Sequence, residues 1–211
     1  MPVMLQPGTV APRNPMALNI SPNLLQVLII LAGITCCIAM AMPQVHIVAY
    51  CVDLGFRAAR GAQMLSVMLA SGIASRLIFG FIMDRIGGVR TLVLSSMLQG
   101  IALLLFLPSD GLMALFLVSF MFGLFQGGLV PCYAMIVREN FPPSQAGSRV
   151  GLALSSTMVG MAVGGWMAGA LFDATGGYTA AMWNGIAWNL VNLSIALWLM
   201  WRLNRRQQAF A

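Results

Sequence analysis

Long apolar runs alternate along the chain with short polar breaks. Six runs occupy residues 24–48, 62–83, 91–107, 112–136, 149–172 and 179–200. Each is close to the ~20 residues that cross roughly 30 Å of hydrocarbon. The breaks carry the charges and turn residues: YCVDLGFRAARG, DRIGGVR, PSDG, RENFPPSQAGS and DATGGY. No run alternates apolar and polar positions over the ten or so residues that a barrel strand requires. In lipid a helix satisfies its own backbone groups, so the pattern predicts an all-α membrane protein of six transmembrane helices.

Before the first run, residues 1–23 hold Pro2, Pro7, Pro12, Pro15 and Pro22. They lack the charged, apolar and small-residue succession of a signal peptide and read as a flexible lead or linker. After the last run, residues 201–211 form a basic tail.

Composition agrees with the pattern. The chain is 60% hydrophobic and 8% charged with mean hydropathy +0.88, where ordinary globular domains carry about 25% charge. There is too little polar material to coat a soluble surface. The net charge of +6 rests on arginine, since there is no lysine. These arginines sit in ones, twos and threes between apolar runs, unlike the stripe of a nucleic-acid binder. With the N-terminus inside, Arg13, Arg85, Arg90, Arg138, Arg149, Arg202, Arg205 and Arg206 are cytoplasmic, and only Arg57 and Arg60 are external. That bias predicts that both termini are cytoplasmic and that the protein is a multi-pass protein of the cell's inner (plasma) membrane. Trp198 and Trp201 fall where an interfacial aromatic belt belongs.

Candidate chemistry is sparse. Cys36, Cys37, Cys51 and Cys132 form no C-x-x-C and have one histidine, His46, for company. Neither a disulfide framework nor a metal site is supported. No nucleophile or metal-hydrolase motif is present, so no catalytic residue, cofactor or enzyme activity is expected.

Arg76 is the exception, standing inside the second run. The bland reading is snorkelling of its stem to the headgroups. Against it, helical side chains incline toward the N-terminus, away from the nearer exit. Gly72 and Gly80, four residues to either side, mark a face packed against protein. An arginine there points into the bundle or a wet cavity and suits a carboxylate. A substrate anion site is favoured over an internal ion pair, since no other helix interior holds an obvious acid.

"GFIMDRIGGVR", residues 80–90, resembles the G-x-x-x-D-R-x-G-basic loop of the major facilitator superfamily. It lies between the second and third helices on the predicted cytoplasmic side, as in that family. Gly88 and Val89 depart from the usual basic positions, and Arg90 follows them. "MPQVHIVAYCVDLGF", "SGIASRLIFGFIMDRIGG" and "GGWMAGALFDATGGYTAAMW" look like the seventh, eighth and eleventh-to-twelfth helix regions of monocarboxylate and oxalate/formate-type carriers. The resemblance runs over about residues 24–200. It implies the C-terminal six-helix half of a twelve-helix bundle, with residues 1–23 similar to the end of a central loop. It also implies that Arg76 binds a substrate carboxylate. An aspartate that some members carry four residues earlier is Gly72 here, and the eleventh-helix lysine of some oxalate/formate carriers is absent. Proton coupling by that aspartate and a two-cation dicarboxylate site are therefore not expected.

Further candidates each carry two readings. Gly80, Asp84, Arg85, Gly87 and Arg90 are either a gating latch or stop-transfer charges. Gly123 and Gly127, and Gly160, Gly164, Gly165 and Gly169, form G-x-x-x-G spacings for helix packing, or for an interface between half-transporters. Gly128 and Pro131 predict a kink. Gln44 and His46 close the first helix, and His46 is either solvated or a titrating cavity group. Gln126, Tyr133 and Asn184 either line the cavity or bond between helices.

The reading is a secondary transporter of small organic anions, monocarboxylates above all, working by alternating access. The alternative is a non-transporting half-protein or assembly subunit. The implied partners are the anion, the bilayer, and a second half-transporter or second copy; no nucleic acid is expected.

Overall fold

A computed structural model describes residue 18 and residues 20–209, with side chains to residue 205. Most of the lead assigned to residues 1–23 lies outside the described residues, but Pro22 and Asn23 already form the first turn of a helix. Seven helices make six spans. They are α1 Pro22–Asp53, α2 Ala58–Ile86, α3 Gly88–Phe106, α4 Leu112–Gln126, α5 Leu129–Asn140, α6 Pro143–Thr175 and α7 Thr179–Ala209. α4 and α5 together form the fourth span, Leu112–Asn140. No strand occurs among the described residues. Six spans bring the two ends of the described chain to one end of the bundle, called here the termini end.

Most helices outrun their apolar segments. α1, α6 and α7 have 32, 33 and 31 residues, about 48 Å of helix against roughly 30 Å of hydrocarbon. Local capping explains the extension. Ser21 Oγ accepts from Leu24 N and starts α1, and Pro143 stands in the first turn of α6, where a missing N–H costs nothing. α7 runs on into the basic tail. There Arg202 lies 5.0 Å above the Trp198 ring and Arg205 4.0 Å above Trp201.

The fourth span breaks at Gly127–Gly128. Pro131 follows in the first turn of α5, where its lost donor and fixed φ are tolerated. α1 is the most buried span and packs on α6, α7, α2 and α5. Its interior Pro43 cannot bond to the carbonyl of Ala39. Gly185 of α7 comes in beside that carbonyl, close enough that a Cβ would lie 3.3 Å from it.

The α1–α6 seam explains one glycine pair. A Cβ on Gly164 would sit 2.6 Å from Ile38 Cα and 2.7 Å from Ala41 Cβ, and one on Gly160 would meet the Ile34 backbone and Cys37. That glycine face is occupied by α1 of the same chain. Gly165 and Gly169 make ordinary contact with Val45 and His46.

Candidate functional site

The α2–α4 seam sets the rotation of α2. Gly123 admits Ser71 and Met68 so closely that any Cβ would collide with Ser71 Oγ and the Met68 carbonyl. One turn on, Gly127 does the same for Ser75 and Gly72, and Ser75 Oγ donates to the Leu124 carbonyl. With Ser71, Ser75 and Phe79 buried in that seam, the next face of α2 is turned outward. It carries Leu69, Gly72, Ile73 and Arg76 at helical spacing.

Those four residues form one wall of a cavity of about 370 Å³ between α1, α2, the α4–α5 junction and α6. Arg76 lies ten residues before the end of α2, about 15 Å along the axis. Its side chain is exposed, and it makes no hydrogen bond, ion pair or ring contact among the described residues. Gln44 of α1 and Gln126 of α4 line the same cavity. Gln126 is 6% exposed and its Oε1 has no partner, a condition that costs about 1–3 kcal/mol until a donor arrives. No acid is among the lining residues. A guanidinium without a protein partner among the described residues, on a wall shared with two carboxamides, is suited to a planar carboxylate: two parallel N–H···O bonds from the guanidinium, with the amide N–H groups as donors for the remaining lone pairs.

The other sequence-predicted residues lie elsewhere. His46 sits on the α1–α6 seam with Nε2 2.9 Å from the Gly165 carbonyl and Nδ1 3.4 Å from the Tyr178 hydroxyl. A carbonyl can only accept, so Nε2 carries a proton; in the neutral ring Nδ1 then accepts from the Tyr178 hydroxyl. Tyr178 lies in the α6–α7 turn; burial, then the charges of Asp53 and Asp173, push its phenol above the usual range. Tyr133 is fully buried, with its hydroxyl 3.0 Å from the Ala32 carbonyl and 3.1 Å from Asn192 Oδ1. Asn192 Nδ2 in turn donates to Ser96 Oγ at 2.8 Å. Tyr133 thus belongs to a network tying α1, α3, α5 and α7 together. Asn184 is half-buried on α7 and absent from the cavity wall.

In the loop motif, Gly87 joins α2 to α3 at φ 85° and caps both: its N–H reaches the Met83 carbonyl at 2.9 Å and its carbonyl accepts from Thr91 N at 3.2 Å. Asp84 and Arg85 are exposed, Arg90 is half-buried in the first turn of α3, and a Cβ at Gly80 would meet nothing within 4 Å. Sequence reasoning passed over Glu139, whose Oε1 accepts from Gly88 N at 3.3 Å. Its signal was a lone acid beside Arg138 in the polar break just after the fourth run. Also passed over were Cys37, Met40, Thr157, Met158 and Met161 on the cavity wall. Their i, i+3 spacings, Cys37 with Met40 and Met158 with Met161, are the trace of a shared face.

A family model described as Major Facilitator Superfamily matches residues 24–211. The chain belongs to the Major Facilitator Superfamily. Its six long apolar helices are those of a multi-pass integral membrane protein, and the family is one of transporters rather than enzymes. Monocarboxylate transporter 13 of Rattus norvegicus is 31% identical over 142 residues, 66% of this chain and 33% of that protein. The Bos taurus protein of the same name is 30% identical over the same length. The MFS-type transporter opdF of Penicillium oxalicum is 24% identical over 158 residues, 74% of this chain and 37% of that protein. The chain thus spans about a third of the length of these relatives. Among solved structures, the fucose:proton symporter of E. coli superposes with TM-score 0.68 at 18% identity, over 83% of this chain and 42% of that one. That likeness carries the fold: six helices corresponding to about half of a larger bundle.

Proposed function

We propose that this chain is one six-helix half of a secondary transporter for small organic anions, monocarboxylates above all, and that Arg76 binds the substrate carboxylate. The observation that supports it is Arg76 itself, a cation at membrane depth on a cavity wall with no partner among the described residues. A charge held there costs ~2.5–3.5 kcal/mol on insertion scales, and an anionic ligand offsets that. The names of two relatives are consistent with a monocarboxylate. A second half, in the same polypeptide or another copy, closes the cavity, and the two rock about the bound anion. The Gly80, Asp84, Arg85, Gly87 and Arg90 loop serves this cycle as a latch. Both termini face the cytoplasm across the cell's inner (plasma) membrane, following the arginine bias. With Gly72 in place of an acid, coupling to protons by a neighbouring aspartate is not part of the proposal.

The alternative of an assembly subunit rested on the glycine-rich fifth span and on the missing half; of these, Gly160 and Gly164 are already packed against α1 of the same chain. Uptake of a labelled monocarboxylate by the native polypeptide tests the proposal. Arg76→Ala abolishes uptake without changing protein abundance, and normal uptake by that variant refutes the assignment.

A further inference from the structure

The cavity is lined by more sulfur than a site for a very small anion calls for. Four of its fourteen lining residues are methionine, in a chain with seventeen methionines among 211 residues. They come from three different spans: Met40 on α1, Met68 on α2, Met158 and Met161 on α6. Cys37 of α1 adds a thiol. The lining holds no aromatic residue and a single charge, Arg76.

Each of these facts constrains the ligand. A thioether on three rotatable bonds is polarizable and adapts its shape, and its sulfur makes favourable contacts with the edges of aromatic rings. A wall without rings of its own leaves those contacts free for a ring brought by the ligand. The volume of about 370 Å³ falls in the roughly 300–1,000 Å³ range of pockets that hold drug-sized molecules. A two- or three-carbon acid leaves most of that space to water and uses none of the sulfur. A soft cation would also suit thioethers, but it would share the space with the Arg76 guanidinium and with no acid to offset it.

We infer that the substrate is an amphipathic monocarboxylate with a flat, polarizable body, an aryl-alkanoate in chemical class. Its carboxylate meets Arg76, and its ring lies among Met40, Met158 and Met161. The inference rests on the reading of Arg76 as a carboxylate site and adds the identity of the other end of the molecule. Met158 is 69% exposed in the half-bundle and so is free to close over a ring. Met40, at 6%, forms fixed floor.

Equilibrium binding to the native polypeptide, purified from its own membranes, tests this with three probes: acetate, 3-phenylpropanoate and the uncharged 3-phenylpropanamide. The aryl acid binds at least tenfold tighter than acetate and at least tenfold tighter than its amide. Met158→Leu, which keeps the volume and removes the sulfur at an exposed position, lowers the ratio of aryl-acid to acetate affinity by about two- to tenfold; Met40→Leu does the same from the buried side. Aryl acid and acetate binding equally, or a ratio that neither substitution moves, overturns the inference and leaves Arg76's role standing. Aryl acid and amide binding equally overturns the carboxylate reading of Arg76, and with it the class proposed here.

Discussion

The Glu139 carboxylate, in the last turn of α5, accepts a hydrogen bond from the backbone N–H of Gly88, the first residue of α3, at 3.3 Å. An acid from another span thus satisfies an orphan donor at a helix N-terminus, where the macrodipole also favours negative charge. The contact needs a glycine. A Cβ on Gly88 would stand 2.9 Å from Ile136 Cγ1 and 3.4 Å from Glu139 Oε2. The loop between α2 and α3 is therefore tied to the end of the fourth span.

Glu139→Ala removes the acceptor and should lower stability by about 0.5–2 kcal/mol, the usual range for a lost cap. Glu139→Gln should cost less, since it keeps an oxygen and loses the charge. Thermal unfolding in detergent measures both; equal stability of Glu139→Ala and the parent protein would remove the capping role.

Two glycines of α6 should respond to the same substitution with opposite signs. Gly151 has nothing within 4 Å of a prospective Cβ, so Gly151→Ala gains helix propensity and stabilises by roughly 0.5–1 kcal/mol. Gly164→Ala drives a methyl into Ile38 and Ala41 and destabilises by about 1–3 kcal/mol through overpacking. Unfolding midpoints that move in the same direction for both would contradict the α1–α6 seam described here.

Tyr133→Phe should cost stability, about 0.5–1.5 kcal/mol for the lost hydrogen bonds. It should leave carboxylate affinity unchanged, because the hydroxyl is consumed by Ala32 and Asn192 away from the cavity. Asn192→Leu, which removes the bonds to both Tyr133 and Ser96 while leaving each hydroxyl its carbonyl partner, should cost more. A weakened affinity in Tyr133→Phe at normal stability would return Tyr133 to the site.

The Tyr178 phenol predicts a pH dependence. Its folded-state value is raised by burial and by Asp53 and Asp173, so the fold favours the protonated form. That contribution is whole below the unfolded value near ~10 and is lost as pH rises through the folded value. Stability should therefore decline above about pH 10, and Tyr178→Phe should flatten the decline, followed by circular dichroism across the alkaline range. An unaltered decline in Tyr178→Phe would assign it to other groups.

How much of this was legible in the sequence depends on the scale of the interaction. Six spans were readable because hydropathy over about twenty residues is a sum that no single contact overrides. The lengths of α1, α6 and α7 were not, because a helix end is set by caps such as Ser21 and by polar turns beyond the apolar run. The doublet of Gly128 and Pro131 announced a bend, and the fourth span does break there. Arg76 was conspicuous, since a charge in an apolar run is rare. Its neighbours were not: Gln44 and Gln126 reach the same cavity, while Tyr133 and His46, equally polar and equally placed along their helices, turn into seams. Helical rotation decides between those fates, and rotation is set by close glycine contacts such as Gly123 with Ser71 that only the assembled bundle shows. The methionine wall escaped notice because methionine reads as ordinary core until several from different spans meet.

The most direct test of the account is carboxylate affinity in three proteins that differ only at residue 76, measured by equilibrium binding so that transport steps play no part. Loss of a charge-assisted pair is worth about 1.5–3 kcal/mol. Arg76→Gln should therefore bind a monocarboxylate roughly ten- to a hundredfold more weakly, with Arg76→Lys between, since it keeps the charge and loses the fork. Unchanged affinity in Arg76→Gln, in a protein that unfolds at the parent temperature, would contradict the central claim.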